Sequence, residues 1–178
     1  MHHIVATIYD LDGLNLGLFI LRIAVGVIMI AHGYNHIFRG GKIEGTAGWF
    51  ASLGMRPGIL HAWLASLTEL GAGALLILGF FNPLAAAGVV GTMTVALITN
   101  HLKNGFFIFR PGEGWEYVGL LICAGLALGA MGAGEWSVDD ALDWDWTAGV
   151  SAFVITAIVG LGGAAALLAV FWRPQKKD

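Results

Sequence analysis

Glu69 is the one acid inside the apolar run Leu60 to Phe81, and Arg22, His32 and His36 interrupt a second apolar run, Leu16 to Phe38. An ionisable side chain exposed to hydrocarbon is costly, so these groups must face protein, water or a bound molecule. Steps of three and four from Arg22 pass through Val25 and Met29 to His32 and His36, which puts all three polar residues on one helical stripe. Asn100 with His101, and Glu116, stand at the boundaries of two further apolar runs. A carboxyl group facing imidazoles is suited to exchanging protons with a ligand. Glu69, His32 and Arg22 are the candidates for that role, with His36, Asn100, His101 and Glu116 expected to line the same pocket. The competing reading is structural: Glu69 paired with Arg22 or a histidine only to hold helices in register.

The i,i+4 spacing of His32 and His36 also suits a metal ion, with Glu69 as a further ligand. Such spacing is common on helices, so these three are weak candidates and no metal is expected. Haem is not expected either, because bis-histidine ligation needs facing histidines at matched depth, and only His101 opposite His36 offers one. His61, beside Trp63, reads as an interface residue, and His2 and His3 as surface residues. The single Cys123 excludes an internal disulfide and reads as a small packing residue.

The elements that must position these residues follow from composition. The chain has 178 residues, 57% of them hydrophobic and 12% charged, with a mean hydropathy of +0.77. Those values lie outside the range of soluble domains and identify an all-α integral membrane bundle in contact with lipid. A net charge of −3 and the lack of a long basic run exclude nucleic-acid binding. Five spans are expected, at about residues 16–38, 60–81, 84–102, 115–131 and 148–172. Each is of the length needed to cross a hydrocarbon core of about 30 Å at about 1.5 Å per residue. The Asn82-Pro83 turn joins the second and third spans as a tight hairpin.

Residues 1–15 read as an extracytoplasmic lead-in without the basic residues of a signal peptide, so the first span is expected to be retained. Residues 46–54 read as an amphipathic segment lying in the interface, with Thr46 as its cap and Trp49, Phe50 and Leu53 as its apolar side. Residues 135–147, within a stretch holding five acids, three tryptophans and no base, read as a solvated acidic loop where Ser137 could cap a turn. Its sharper alternative is a partner surface. Residues 173–178 form a basic tail.

Eight of the nine Lys and Arg residues fall on one side of a five-span chain, the ninth being Arg22. The positive-inside rule then places the N-terminus outside and the C-terminus in the cytoplasm. In this topology His32 lies about 9 Å and Glu69 about 13 Å from the cytoplasmic ends of their spans. The polar residues of four helices thus share the cytoplasmic half, while Arg22, in the outer half, would have to reach inward toward Glu69. Ala62, Ala65, Ala72 and Gly73, and Gly119, Cys123, Ala127 and Ala130, form small-residue faces suited to close helix contact, within the chain or in a homo-oligomer.

Arg22 and His32-Gly33, AGWFASLGMRPG before the second span, Glu69-Leu70-Gly71, NHLKNGFF closing the third span and GWEY opening the fourth together resemble the DoxX family of small bacterial membrane proteins. The resemblance covers about residues 16–134, and His36 stands where a lysine is typical of the family. It implies a four-helix core in the bacterial inner membrane, to which the acidic loop and fifth span are additions. It also implies a context of sulfur or oxidative-stress redox chemistry, since relatives include subunits of a thiosulfate:quinone oxidoreductase. Two readings follow. In one, the chain is a quinone-linked redox subunit whose cytoplasm-facing pocket holds the quinone head group, with Glu69 and His32 exchanging its protons and Arg22 tuning the carboxylate. In the other, it is a non-catalytic accessory or assembly subunit whose acidic loop and extra helix dock a partner protein.

Overall fold

A computed structural model describes residues 11–174; residues 1–10, with His2 and His3, and residues 175–178, with Lys176 and Lys177, lie outside the described residues. Among the described residues the structure is helical throughout, with one isolated bridge between Met55 and Trp172. The first helix, α1 (Leu11–Phe38), begins five residues earlier than the apolar run, so Leu11 to Asn15 belong to it and not to a lead-in. Asn15 is buried, and its Oδ1 accepts a hydrogen bond from Glu135 N at 3.1 Å.

Gly40 and Gly41, with φ of +51° and +92°, turn the chain into α2 (Lys42–Ser52). Thr46 is therefore interior to this helix and does not cap it. Its hydroxyl instead donates to His36 O at 2.8 Å, pinning α2 to the end of α1. Then α3 (Gly58–Leu78) runs back along α1 and ends at Gly79, whose φ of +64° suits a left-handed C-cap. Pro83 occupies the first turn of α4 (Asn82–Ala96), where its missing N–H costs nothing. That helix continues through a π-turn, Leu97–His101, and a 3-10 turn, Leu102–Asn104.

After a loop, α5 (Glu116–Met131) returns to the opposite end. Its 16 residues span about 24 Å, shorter than the four helices long and apolar enough to cross a membrane. The acidic loop contains the short helix α6 (Val138–Ala141), capped by Ser137, which accepts from Asp140 N. The final span is α7 (Gly149–Ala157), a π-turn at Ile158–Gly162, and α8 (Gly163–Phe171).

Between membrane helices, packing and not exclusion from water drives contact, so small residues mark the seams. Gly26 and Gly73 face each other across α1 and α3: a Cβ at Gly26 would stand 2.7 Å from Gly73 O, and one at Gly73 only 2.6 Å from Gly26 O. Gly129 of α5 packs in the same way on Thr156 of α7, whose hydroxyl donates to Pro83 O at 3.0 Å. The buried Ala62, Ala72 and Gly73 are thus occupied within this chain. Cys123, by contrast, is exposed on the outer face of α5, not packed.

The helices alternate direction, so the connections fall into two sets. One end carries Arg39, Lys42, Arg56, Lys103, Arg110 and Arg173, and is closed by the bond from Arg173 N to Gly54 O at 2.8 Å. The other end carries the acidic loop. Asp139 of that loop is buried, and its carboxylate oxygens accept from Phe81 N at 2.8 Å and Asn82 N at 2.9 Å. Its part in the fold is to cap α4, which the reading of a solvated loop did not contain.

Candidate functional site

Near the basic end, the helices enclose a cavity of about 700 Å³. Its walls come from α1, α2, α3, α4, α5 and α8, so the final span is a wall of the site and not an appendage. Most of the lining is apolar, with the polar groups concentrated near α1, α3 and the π-turn.

Glu69 projects into this region from the buried face of α3, and His36 meets it from α1, with Nε2 3.6 Å from Oε2. That separation is longer than a hydrogen bond. Glu69 Oε2 and His36 Nδ1 are both buried with no hydrogen-bond partner. Gly33 makes the approach of the two helices here feasible, because it lies against Ser66 O and the Glu69 Cβ. The His36 ring also packs on Phe50 of α2, with centroids 6.1 Å apart.

His32 lies one turn earlier on α1 and turns elsewhere: it lines the cavity with its ring stacked on Tyr117 of α5 at 6.3 Å. The two histidines therefore do not converge on Glu69 together. Among the described residues, no three His, Cys, Asp or Glu side chains are grouped as metal ligands.

The π-turn of α4 presents three successive residues, Thr99, Asn100 and His101, to the cavity; such turns insert a residue and re-aim the side chains around it. His101 Nδ1 donates to Glu113 O at 3.1 Å, which leaves Nε2 as the acceptor facing Asn100 Nδ2 at 3.4 Å.

Two expected site residues stand elsewhere. Glu116 does not line the cavity; its Oε1 accepts from Ile108 N at 2.9 Å and holds the α4–α5 loop. Glu113, three residues earlier, takes its place at the wall. The left-handed conformations of Gly112 and Glu113, with φ of +83° and +63°, turn the loop inward there.

Arg22 is fully buried but does not reach Glu69. Its guanidinium donates to Leu76 O at 2.9 Å, Ile77 O at 3.3 Å and Trp136 O at 2.7 Å, tying α1 and α3 to the acidic loop. The polar stripe of α1 thus splits. Arg22, Val25 and Met29 turn into the core, whereas His32 and His36 face the cavity.

His61 is a residue the sequence reading misplaced. It is buried, not interfacial, because α2 and the end of α8 cover it: Phe171 lies edge-on at 5.1 Å and Phe50 at 6.4 Å. It lines the cavity, and its Nε2 has no hydrogen-bond partner.

Residues 17–102, which include α1 from its seventh position through the π-turn, match the family model named DoxX. Over 85 residues the chain is 38% identical to Inner membrane protein YphA of Escherichia coli strain K12, an alignment covering 47% of this chain. The match spans 59% of that curated relative's length. No solved structure matches the chain. His32, His36, His61, Glu69, Asn100 and His101 all fall inside the matched segment, whereas Glu113, Tyr117 and the final span lie beyond it. Over residues 17–102, a little under half of its length, the chain is similar to the DoxX family, and its apolar helices are those of a multi-pass protein of the inner membrane.

Proposed function

We propose that this chain is a quinone-binding subunit of a membrane redox system, with the head group held in the cavity beside Glu69 and His36. The observation that carries the reading is the cavity itself: about 700 Å³, mainly apolar, with a carboxyl and an imidazole on one wall, each with one polar atom, Glu69 Oε2 and His36 Nδ1, that has no hydrogen-bond partner. Buried polar atoms without partners are rare in native proteins and call for an occupant. A lipophilic molecule with a polar head fits such a site, because its tail lies against the apolar walls and its head supplies the missing bonds. Glu69 and His36 exchange protons with that head group, and Asn100, His101 and Glu113 form the polar mouth. Electrons come from a partner protein. The bases gathered around the mouth support a cytoplasmic placement of this end.

Mild-detergent purification followed by mass spectrometry of extracted small molecules tests the reading. A prenylated quinone is expected to accompany the wild type and to be lost from a folded Glu69→Gln variant. Wild-type protein that carries no quinone, takes none up when it is supplied, and co-purifies with a larger complex belongs instead to the accessory-subunit reading.

A further inference from the structure

The cavity is open on two sides that differ in chemistry. At the basic end its mouth is polar, formed by Asn100, His101 and Glu113. Along the flank of the bundle, Leu64 of α3, Leu84 of α4 and Val159 of the final span line the cavity and are also 42%, 43% and 49% exposed. Side chains that line a cavity and are exposed at the same time stand where its wall gives way. All three lie within helices long and apolar enough to cross the membrane, so this opening faces hydrocarbon and not water.

Helix packing gives the side window its shape. Its floor is α4, on which both neighbours sit closely: a Cβ at Gly88 would stand 2.9 Å from the Ala72 Cβ of α3, and one at Gly91 would stand 3.2 Å from Gly160 O of the final span. The two sides of the window are therefore α3 and the final span. Gly163 lines the cavity on the final-span side, and the space beside it is empty, since an added Cβ there meets no atom within 4 Å. Toward the basic end the two sides meet. Phe171 lies edge-on to His61 at 5.1 Å, and Arg56 N donates to Phe171 O at 3.3 Å. The window is thus an opening in the flank, closed short of the basic face, and not a groove running through the whole membrane.

That shape selects the occupant. A membrane helix of a second copy needs a seam along about 30 Å of hydrocarbon, and the closure at Phe171 interrupts it. A single hydrocarbon chain needs only a local gap with apolar edges, and apolar molecules are already gathered in the bilayer outside it. The window belongs to the same cavity as Glu69 and His36. A ligand with its polar head at that pair therefore has a path for its tail that never leaves apolar surroundings.

We infer that the cavity is loaded sideways from the bilayer, through a window between α3 and the final span, and that the hydrocarbon tail of the bound molecule lies in that window over α4. This rests on the quinone reading above and adds to it the route of entry and the place of the tail. The ligand is then a long-tailed molecule dissolved in the membrane, and the polar mouth serves protons and not the passage of the ligand. The final span, as one side of the window, is part of the entry route.

The test is photolabelling of the full chain in lipid nanodiscs, with the labelled peptides mapped by mass spectrometry. The probe is a geranylgeranyl-substituted para-benzoquinone carrying a diazirine on the first isoprene unit of its tail, and the competitor is the same quinone without the diazirine. Label is expected on both sides of the window, around Leu64 and Thr68 of α3 and from Val159 to Leu167 of the final span, and excess competitor should remove it. Competed label confined to the mouth, around His101 and Glu113, overturns the inference while leaving quinone binding in place. Label on the window that the competitor does not reduce overturns it too, since it reports contact with bulk lipid alone. So does an unlabelled window in a protein that native mass spectrometry shows to be a dimer, with competed label elsewhere in the cavity. Absence of competed label anywhere in the chain overturns the underlying quinone reading with it.

Discussion

Asp139 closes the turn between α3 and α4: its Oδ1 accepts from Phe81 N at 2.8 Å and its Oδ2 from Asn82 N at 2.9 Å. A carboxylate at a helix N-terminus satisfies two otherwise orphaned donors and faces the positive end of the helix dipole. Asn82 is itself fully buried and donates through Nδ2 to Leu128 O at 2.8 Å, so the cap fixes α5 as well. Asp139→Ala should destabilise the protein by about 3 kcal/mol, because one buried and one half-buried N–H group lose a charged acceptor. Thermal unfolding in detergent measures this. Asp140→Ala, one residue on, is the control and should have little effect, and equal losses in the two variants would contradict the capping role.

Arg22 offers a sharper separation of stability from binding. Its guanidinium spans three carbonyl oxygens on two segments, a fork that the single ammonium of lysine does not reproduce. Arg22→Lys and Arg22→Met should each cost about 2–4 kcal/mol through the loss of these charged hydrogen bonds. Because Arg22 bonds at the acidic end and makes no contact with Glu69, the folded fraction of either variant should take up quinone as wild type does. A folded Arg22→Met protein with impaired uptake would restore the idea that Arg22 tunes the carboxylate.

The five apolar runs, the Asn82-Pro83 reversal and the single-ended distribution of bases were legible because hydropathy, proline and charge act locally or by simple alternation. The site was legible only in part. Asp139 sits among four other acids, and nothing in its neighbours tells the buried one from the solvated ones; that depends on where the α3–α4 turn meets the loop. Glu113 and Glu116 are three residues apart, and the left-handed turn at Gly112 and Glu113 decides which approaches the cavity. His61 looked interfacial beside Trp63, but Trp63 is exposed while His61 is covered by Phe50 and Phe171, residues far from it in sequence. The π-turn that directs Asn100 and His101 has no sequence signature at all.

Gly33 sets the distance between the two residues at the heart of the site. A Cβ added there would stand 2.8 Å from both the Leu70 Cγ and Ser66 O, and 3.2 Å from the Glu69 Cβ. Gly33→Ala must therefore push α1 away from α3 next to the His36–Glu69 pair, and overpacking of this kind costs about 1–3 kcal/mol. Quinone uptake should fall along with stability. Gly17→Ala, where an added Cβ meets nothing within 4 Å, should change neither. Thermal unfolding and extracted quinone content, measured on both variants, distinguish a packing seam from a tolerant position.

The final span permits a test in which the fold is left intact and only the cavity is changed. Gly163, at the start of α8, lines the cavity, and a Cβ there would meet no atom within 4 Å. A larger side chain at this position therefore has room and can fill the void without displacing backbone. Gly160, three residues earlier, is the opposite case: its Cβ would lie 2.9 Å from Val90 and 3.0 Å from Ala87 O. Gly163→Phe should fold with near wild-type stability yet exclude quinone, because the ring occupies space that the ligand needs. Gly160→Ala should lose stability by about 1–3 kcal/mol through overpacking against α4. Quinone content and unfolding temperature are read together for the pair. A Gly163→Phe protein that retains its full complement of quinone would show that the ligand lies outside this cavity.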